Sequence, residues 1–189
     1  MTSDQVLTLF RQSGALLEGH FRLSSGLHSG GYLQCALVLQ FPAYATTLGA
    51  ALAERARGWR PTVVLSPALG GIVIGHEVAR GLGVKALFAE RQDGKLALRR
   101  GFSISPDDRV LVVEDVVTTG GSTRETMEVA RSAGAVIAGA ASIIDRSTEP
   151  TKLEAPLVSL VTYPLPTYEA SACPLCAQGV PVVKPGSRT

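Results

Sequence analysis

The sequence predicts an α/β domain in which a parallel sheet is wound with helices on its faces, and three observations carry that prediction. Strand-like and helix-like segments alternate from residue 62 onward. One apolar run, Val110 to Val113, closes on two adjacent acids, Glu114 and Asp115, and passes directly into a glycine- and hydroxyl-rich turn that opens a helix. The chain has 189 residues, 46% of them hydrophobic, the size and composition of one domain with a substantial core.

The elements follow in order. In "SDQVLTLFRQSG", Val6, Leu7 and Phe10 have helical spacing, with Ser3 or Asp4 as N-cap. The next segment, "ALLEGHFRLSSGLHSGGYLQCALVLQ", alternates in short pieces broken by Gly and Ser and predicts small strands and turns. "PAYATTLGAALAERARG" has proline in its first turn and glycine near its end, which predicts a helix. Then come the strand "TVVLS", the helix "GGIVIGHEVARGLG" and the strands "VKALFAE" and "DRVLVVED". The helix "GSTRETMEVARSAG" and the strand "AVIAGAASIID" complete the pattern. Between Glu90 and Arg109 the rhythm breaks into a charged insertion with an Asp93-Gly94 turn, which predicts an exposed β-hairpin. There is no internal repeat and no low-complexity linker.

Composition excludes several classes of function. Lys+Arg 18 against Asp+Glu 16 gives a formal charge of +2, too small to argue for nucleic acid or an anionic membrane. No apolar segment approaches the roughly 20 residues that span a bilayer. The N-terminus lacks the basic start and apolar centre of a secretory signal, so a cytoplasmic location is expected. Cys35, Cys173 and Cys176 do not suggest a secreted disulfide framework.

Chemistry concentrates where "RVLVVEDVVTTGGSTRE" leaves the predicted sheet. Ligands of open parallel sheets sit beyond the carboxyl ends of the strands. A glycine-rich loop feeding a helix offers free N–H groups and the positive end of the dipole to an anion. The two carboxylates beside it accept from sugar hydroxyls or face a metal. A ribose phosphate satisfies both demands, whereas a lone glycine turn would mean only a helix cap. The segment is neither a P-loop nor a dinucleotide fingerprint, because it lacks Gly-Lys-Ser/Thr and Gly-x-Gly-x-x-Gly.

"VLVVEDVVTTGGST" resembles the phosphoribosyl-diphosphate (PRPP) motif of type I phosphoribosyltransferases. "FRLSSGLHSGGYLQ", "SPALGGIVIGHEVAR" and "FAERQDGKLALRRGF" are similar to the N-terminal signature, diphosphate loop and catalytic hairpin of the orotate-specific branch. The tail "CPLCAQGVPVVKPGSR" also looks like one found there. The resemblance implies the type I phosphoribosyltransferase fold, a central parallel sheet flanked by helices, in one domain over residues 1–189. About residues 1–40 and the C-terminal segment would form a hood over the base pocket, with about 42–165 as the core. It also implies a flexible catalytic β-hairpin, Mg²⁺ dependence, PRPP and orotate as partners, and a homodimer with shared active sites. No nucleic acid or membrane partner is expected.

The same resemblance implies roles for residues. Thr118, Thr119, Gly120, Gly121 and Ser122 would hold the 5′-phosphate, Glu114 and Asp115 the ribose hydroxyls, and Val117 would also belong to the PRPP site. Leu69, Gly70 and Gly71 would receive the diphosphate. Some family members carry a bulky residue and a lysine where this chain has Leu69 and Gly70, so the hairpin must supply more charge. Arg91, Lys95, Arg99 and Arg100 are the cations available, Arg91 and Lys95 first, with Asp115 completing the catalytic set. Ser24, Ser25, Gly26, Thr118 and Arg146 would line the orotate site. Arg146 offers a planar fork to a planar anion, or else pairs with Asp145. Mg²⁺ would be held mainly by PRPP and water, without direct protein ligands.

His20 and His28 read as surface histidines, and His76 lies in a helix without a matching partner. Cys173 and Cys176 have the spacing of half a zinc site, although a tail turn with two reduced thiols is the commoner case. A purine phosphoribosyltransferase, or a transcriptional regulator that keeps a PRPP site as a sensor, are the alternatives. The near-neutral balance and the lack of an evident helix-turn-helix extension argue against the regulator.

Overall fold

The computed structural model describes residues 1–23, 25–149 and 151–184. Helix α1 (Ser3–Gln12) is capped by Thr2, not by Ser3 or Asp4: Thr2 and Gln5 close a reciprocal capping box. Val6 and Phe10 are fully buried on its inner face. Strands β1 (Leu16–Arg22) and β2 (His28–Leu33) form a hairpin, followed by α2 (Cys35–Leu39), a five-residue helix that the sequence pattern did not announce. Helix α3 (Pro42–Ala56) starts at its proline as expected.

The alternating region follows: β3 (Val63–Pro67), α4 (Gly70–Leu82), β4 (Lys85–Gln92), β5 (Lys95–Leu98), β6 (Arg109–Val117), α5 (Gly121–Ser132) and β7 (Val136–Asp145). Strands β8 (Leu157–Thr162) and β9 (Thr167–Tyr168) and the short helix α6 (Pro174–Ala177) complete the chain and were not predicted. The main sheet has six strands in the order β5-β4-β3-β6-β7-β8. All neighbours run parallel except β5, which turns back antiparallel on β4. A separate three-stranded sheet, β1-β2-β9, holds the N-terminal hairpin.

Burial explains the central strands. Every residue of β3 is buried, and Val110–Val113 of β6 are fully inaccessible, because helices cover both sheet faces. Helix α4 lies close on the sheet because Gly75 faces Ser66, where any Cβ would collide with the serine side chain. The Asp93-Gly94 turn forms as expected, with both residues at positive φ (51° and 83°), which suits a two-residue hairpin.

Five strands run the same way and place their carboxyl ends on one edge. The turn into α4, the β4–β5 hairpin, the glycine loop into α5 and Arg146 after β7 therefore share that edge.

Candidate active site at the carboxyl edge

Strand β6 runs through to Val117, so the two acids lie inside its last turns of pleat and not at its final residue. Successive strand side chains face opposite sides of a sheet. Glu114 accepts a hydrogen bond from the Ser122 hydroxyl at the start of α5, and Asp115 reaches the start of α4. A Cβ built on Gly70 would lie 2.8 Å from Asp115 Oδ2 and 2.9 Å from Oδ1. Gly71 packs as tightly, its Cβ position 2.9 Å from the Val113 carbonyl oxygen. A side chain at position 70 would therefore have to push the Asp115 carboxylate aside. Leu69 points outward instead, 84% exposed.

Burial sets the electrostatics of the acids. Glu114 is buried, and desolvation pushes its pKa up to about 7, with the Ser122 hydroxyl acting in the opposite direction. Asp115 is half-buried and also raised by desolvation, opposed by the Val116 N–H, which donates to Oδ1 at 2.9 Å. Cys35, buried at the start of α2, has its thiol pKa raised by burial and then by Asp115, while Arg146 acts to lower it. Arg146 therefore stands within electrostatic reach of the same group as the acids. Its backbone N–H donates to the Val117 carbonyl at 2.8 Å, which lays it beside the end of β6.

Arg146 does not pair with Asp145. The Asp145 carboxylate accepts from the Ser147 N–H and hydroxyl at 2.9 and 2.6 Å. Arg146 Nε is buried with no hydrogen-bond partner among the described residues. An unsatisfied buried donor is costly, and burial lowers the pKa of this guanidinium accordingly.

The glycine loop is built as predicted. Gly120 caps α5 in the left-handed region (φ 73°), where a side chain would be strained. Thr118 and Thr119 are exposed and line a cleft of about 350 Å³ with Arg124, Ser147, Thr148, Glu149, Thr151 and Lys152. Arg124 and Lys152 were missed by the sequence reading. One signal was legible: α5 has no acid in its first turn and carries Arg124 there, a cation placed against the helix dipole.

The hairpin cations are not mutually repelling charges. Arg100 makes a bidentate pair with Glu90 at 2.8 and 3.0 Å, and Arg99 lies 3.8 Å from the same acid. Arg91 pairs with Glu125 of α5 at 3.0 Å and donates to the Gly94 carbonyl. Lys95 alone of the four has no acid partner among the described residues. A groove of about 690 Å³ lies between β5 and α5 and is bordered by Lys95, Leu96 and Leu98. None of the acid-pair or glycine-loop residues lines it, so its size does not make it the reaction site.

Ser25 and Gly26 sit in the β1–β2 turn, where Gly26 has φ 88° and the Leu27 N–H donates to Ser25 Oγ at 3.4 Å. Ser24 lies outside the described residues. His20 and His28 are not surface residues: they are 3% and 6% exposed, against each other and against the cysteine turn of the tail. His76 is exposed on α4, as a histidine without a partner in the site would be.

Comparisons with known proteins identify the family. The profile of the phosphoribosyl transferase domain matches residues 38–168. A protein of Pelotomaculum thermopropionicum named orotate phosphoribosyltransferase is 53% identical over 188 residues, covering 100% of this chain and 99% of its own. One of Chlorobaculum parvum with the same name is 51% identical, covering 100% and 98%. The crystal structure of orotate phosphoribosyltransferase from Aeropyrum pernix superimposes with a TM-score of 0.67 at 27% identity, over 83% of this chain and 93% of that one.

Proposed function

Because the chain belongs to the phosphoribosyltransferase family, we infer that it transfers the 5-phosphoribosyl group of PRPP to orotate, giving orotidine 5′-monophosphate and diphosphate. The observation that carries the assignment to this edge is the approach of Gly70 to Asp115. It joins the α4 turn and the β6 acids into one site with an anion-binding helix start on either side. Relatives that share half their residues with this chain over nearly full length bear the orotate name, which supports orotate over a purine base.

In the reaction, orotate N1 bonds to the anomeric carbon as the bond from that carbon to the diphosphate oxygen breaks. The electron pair leaves on diphosphate, and the N1 proton passes to solvent. Positive charge builds on the ribose ring, so the protein's task is to position two anions and stabilise charge. The loop from Val117 to Ser122 takes the 5′-phosphate, aided by Arg124 and Lys152 in the adjoining cleft. Asp115, with Glu114 behind it, takes the ribose hydroxyls. The free N–H groups of Gly70 and Gly71 take diphosphate. Arg146 offers its guanidinium to orient orotate, with Thr118 and the Ser25–Gly26 turn completing the base pocket. The half-buried Asp115 and the phosphate-accepting loops form a hard-oxygen environment that fits Mg²⁺, held mainly by PRPP and water. When bound, the ion would neutralise diphosphate charge.

Lys95, with Arg91 and Arg99, stabilises the departing diphosphate. We place the hairpin over a neighbouring subunit's site in a homodimer. Leu37, Leu69 and Val73 support an interface here: they are 38%, 84% and 45% exposed on α2 and the start of α4, which pack together. Such apolar exposure suits association.

The function is tested by incubating the protein with PRPP and Mg²⁺ and, in turn, orotate, uracil, adenine, hypoxanthine or xanthine. Diphosphate release with orotate alone is expected. Release with a purine and not with orotate would overturn the assignment.

A further inference from the structure

The tail turn and the N-terminal hairpin meet in a cluster that the transferase chemistry does not use. His20 Nε2 lies 2.9 Å from His28 Nδ1, 3.5 Å from Cys173 Sγ and 3.8 Å from Cys176 Sγ. His28 Nδ1 lies 3.3 Å from Cys176 Sγ. All four donor atoms fall within 4.8 Å of one another, and three of the four residues are buried. We propose that His20 Nε2, His28 Nδ1, Cys173 Sγ and Cys176 Sγ bind one structural Zn²⁺.

Three features of the local structure support this. First, the hydrogen bonding of His20 selects a ligand nitrogen. Its Nδ1 is 2.7 Å from the Val180 carbonyl oxygen, which can only accept. The proton therefore sits on Nδ1, leaving the Nε2 lone pair facing the cluster. A carbonyl on the far ring nitrogen is the usual way a protein orients a metal-binding histidine. Second, the backbone delivers the residues on purpose. The β1–β2 register slips by one residue between Glu18 and Phe21, a bulge that spans Gly19 and His20. It leaves His20 and Phe21 both buried in succession, which a regular strand with one covered face does not do. On the other side, Cys173 caps α6 and Cys176 lies within it, so one tight turn brings both sulfurs to the cluster. Third, the dimensions fit. Tetrahedral zinc, with Zn–S about 2.3 Å and Zn–N about 2.0–2.1 Å, separates its ligand atoms by about 3.3–3.8 Å. The four contacts above need adjustments of about half an ångström or less, and the widest separation in the cluster, within 4.8 Å, has to close by about 1 Å.

The charge balance also favours this ion. Two thiolates and two neutral imidazoles around Zn²⁺ sum to zero, which a buried site tolerates. Soft sulfur donors select zinc over the hard Mg²⁺ of the transferase site. The cluster holds β1, β2 and α6 together where the tail runs beside β1: the Val183 N–H donates to the His20 carbonyl at 2.8 Å and the Arg22 N–H to the Val183 carbonyl at 2.9 Å. His20 and His28 flank the β1–β2 turn, so zinc would clamp both stems of that turn.

The test uses the full chain. Elemental analysis after expression with zinc should give one zinc per chain. Protein stripped with a chelator and reloaded with Co²⁺ should show the visible bands of tetrahedral cobalt and sulfur-to-cobalt charge transfer in the near ultraviolet. In the Cys173→Ser/Cys176→Ser double variant both signals should be lost. Chelation should lower the melting temperature of the wild type but not that of the double variant. A His28→Ala variant should retain the charge-transfer band with a weakened metal affinity, separating ligation from a general loss of fold. Wild type that neither carries zinc nor gives the cobalt spectrum would overturn the proposal, as would a double variant that still binds one equivalent, or a Cys173–Cys176 disulfide in freshly isolated protein. None of these measurements depends on turnover, so failure here leaves the transferase assignment standing.

Discussion

Gly70 and Asp115 come from different strand–helix turns, yet the hydrogen of the glycine occupies a place where a Cβ would lie 2.8 Å from the carboxylate oxygen of the aspartate. Gly70→Ala should therefore leave the fold intact and displace the Asp115 side chain. A loss of about 1.4 kcal/mol or more in Mg²⁺–PRPP binding, about tenfold, is expected by calorimetry. The far-ultraviolet circular dichroism should not change. Unaltered affinity would show that the contact plays no part in PRPP handling.

Glu114 makes stability depend on pH. Burial raises its pKa from 4.5 to about 7, so between those values the folded chain holds a proton that the unfolded chain has lost. Stability should fall as pH rises through this window and level off above it. The contribution of this one group is on the order of 3 kcal/mol. Asp115, raised in the same direction, adds to the fall. Glu114→Gln should flatten the profile and exceed wild type in stability at pH 8, measured by urea denaturation at pH 5 and pH 8. Parallel profiles for the two proteins would refute the assignment of the buried charge.

Arg146 Nε has no hydrogen-bond partner among the described residues, so its removal costs the fold little. Arg146→Ala should weaken orotate binding by about 1.5–3 kcal/mol, the range for a hydrogen bond to a charged group, while PRPP binding stays near wild type. Separate titrations of the two substrates decide it. Equal losses in both would make Arg146 a structural residue.

The hairpin should act across a dimer. A mixed dimer of one Lys95→Ala subunit and one Asp115→Asn subunit has one intact and one doubly damaged site if hairpins are exchanged, so activity near half of wild type is expected. If each hairpin serves its own subunit, both sites are damaged and activity stays at the level of the single variants. Sedimentation at working concentration should also give a dimer, and a monomer there would count against sharing.

Local chemistry determined much of this protein. The apolar runs of β3 and β6, the Asp93-Gly94 turn, the proline start of α3 and the glycine loop before α5 all depend on contacts within a few residues, which is why they could be read in order. The acid pair beside a helix start was legible for the same reason. Sequence spacing could not show which side each acid faces, because β6 runs on to Val117 and sends Glu114 toward Ser122 and Asp115 toward Gly70. Nor could it show which charges are already satisfied. Glu90 and Glu125 between them pair with three hairpin arginines, while Asp145 turns to Ser147 and Arg146 Nε has no hydrogen-bond partner among the described residues. Strands β8 and β9 took their places by pairing with β7 and β2. Two histidines that look like surface residues, and two cysteines that look like half a site, became one cluster only when the tail packed on the hairpin. Those partners lie 145 or more positions apart, and only the packing of the whole chain brings them into contact.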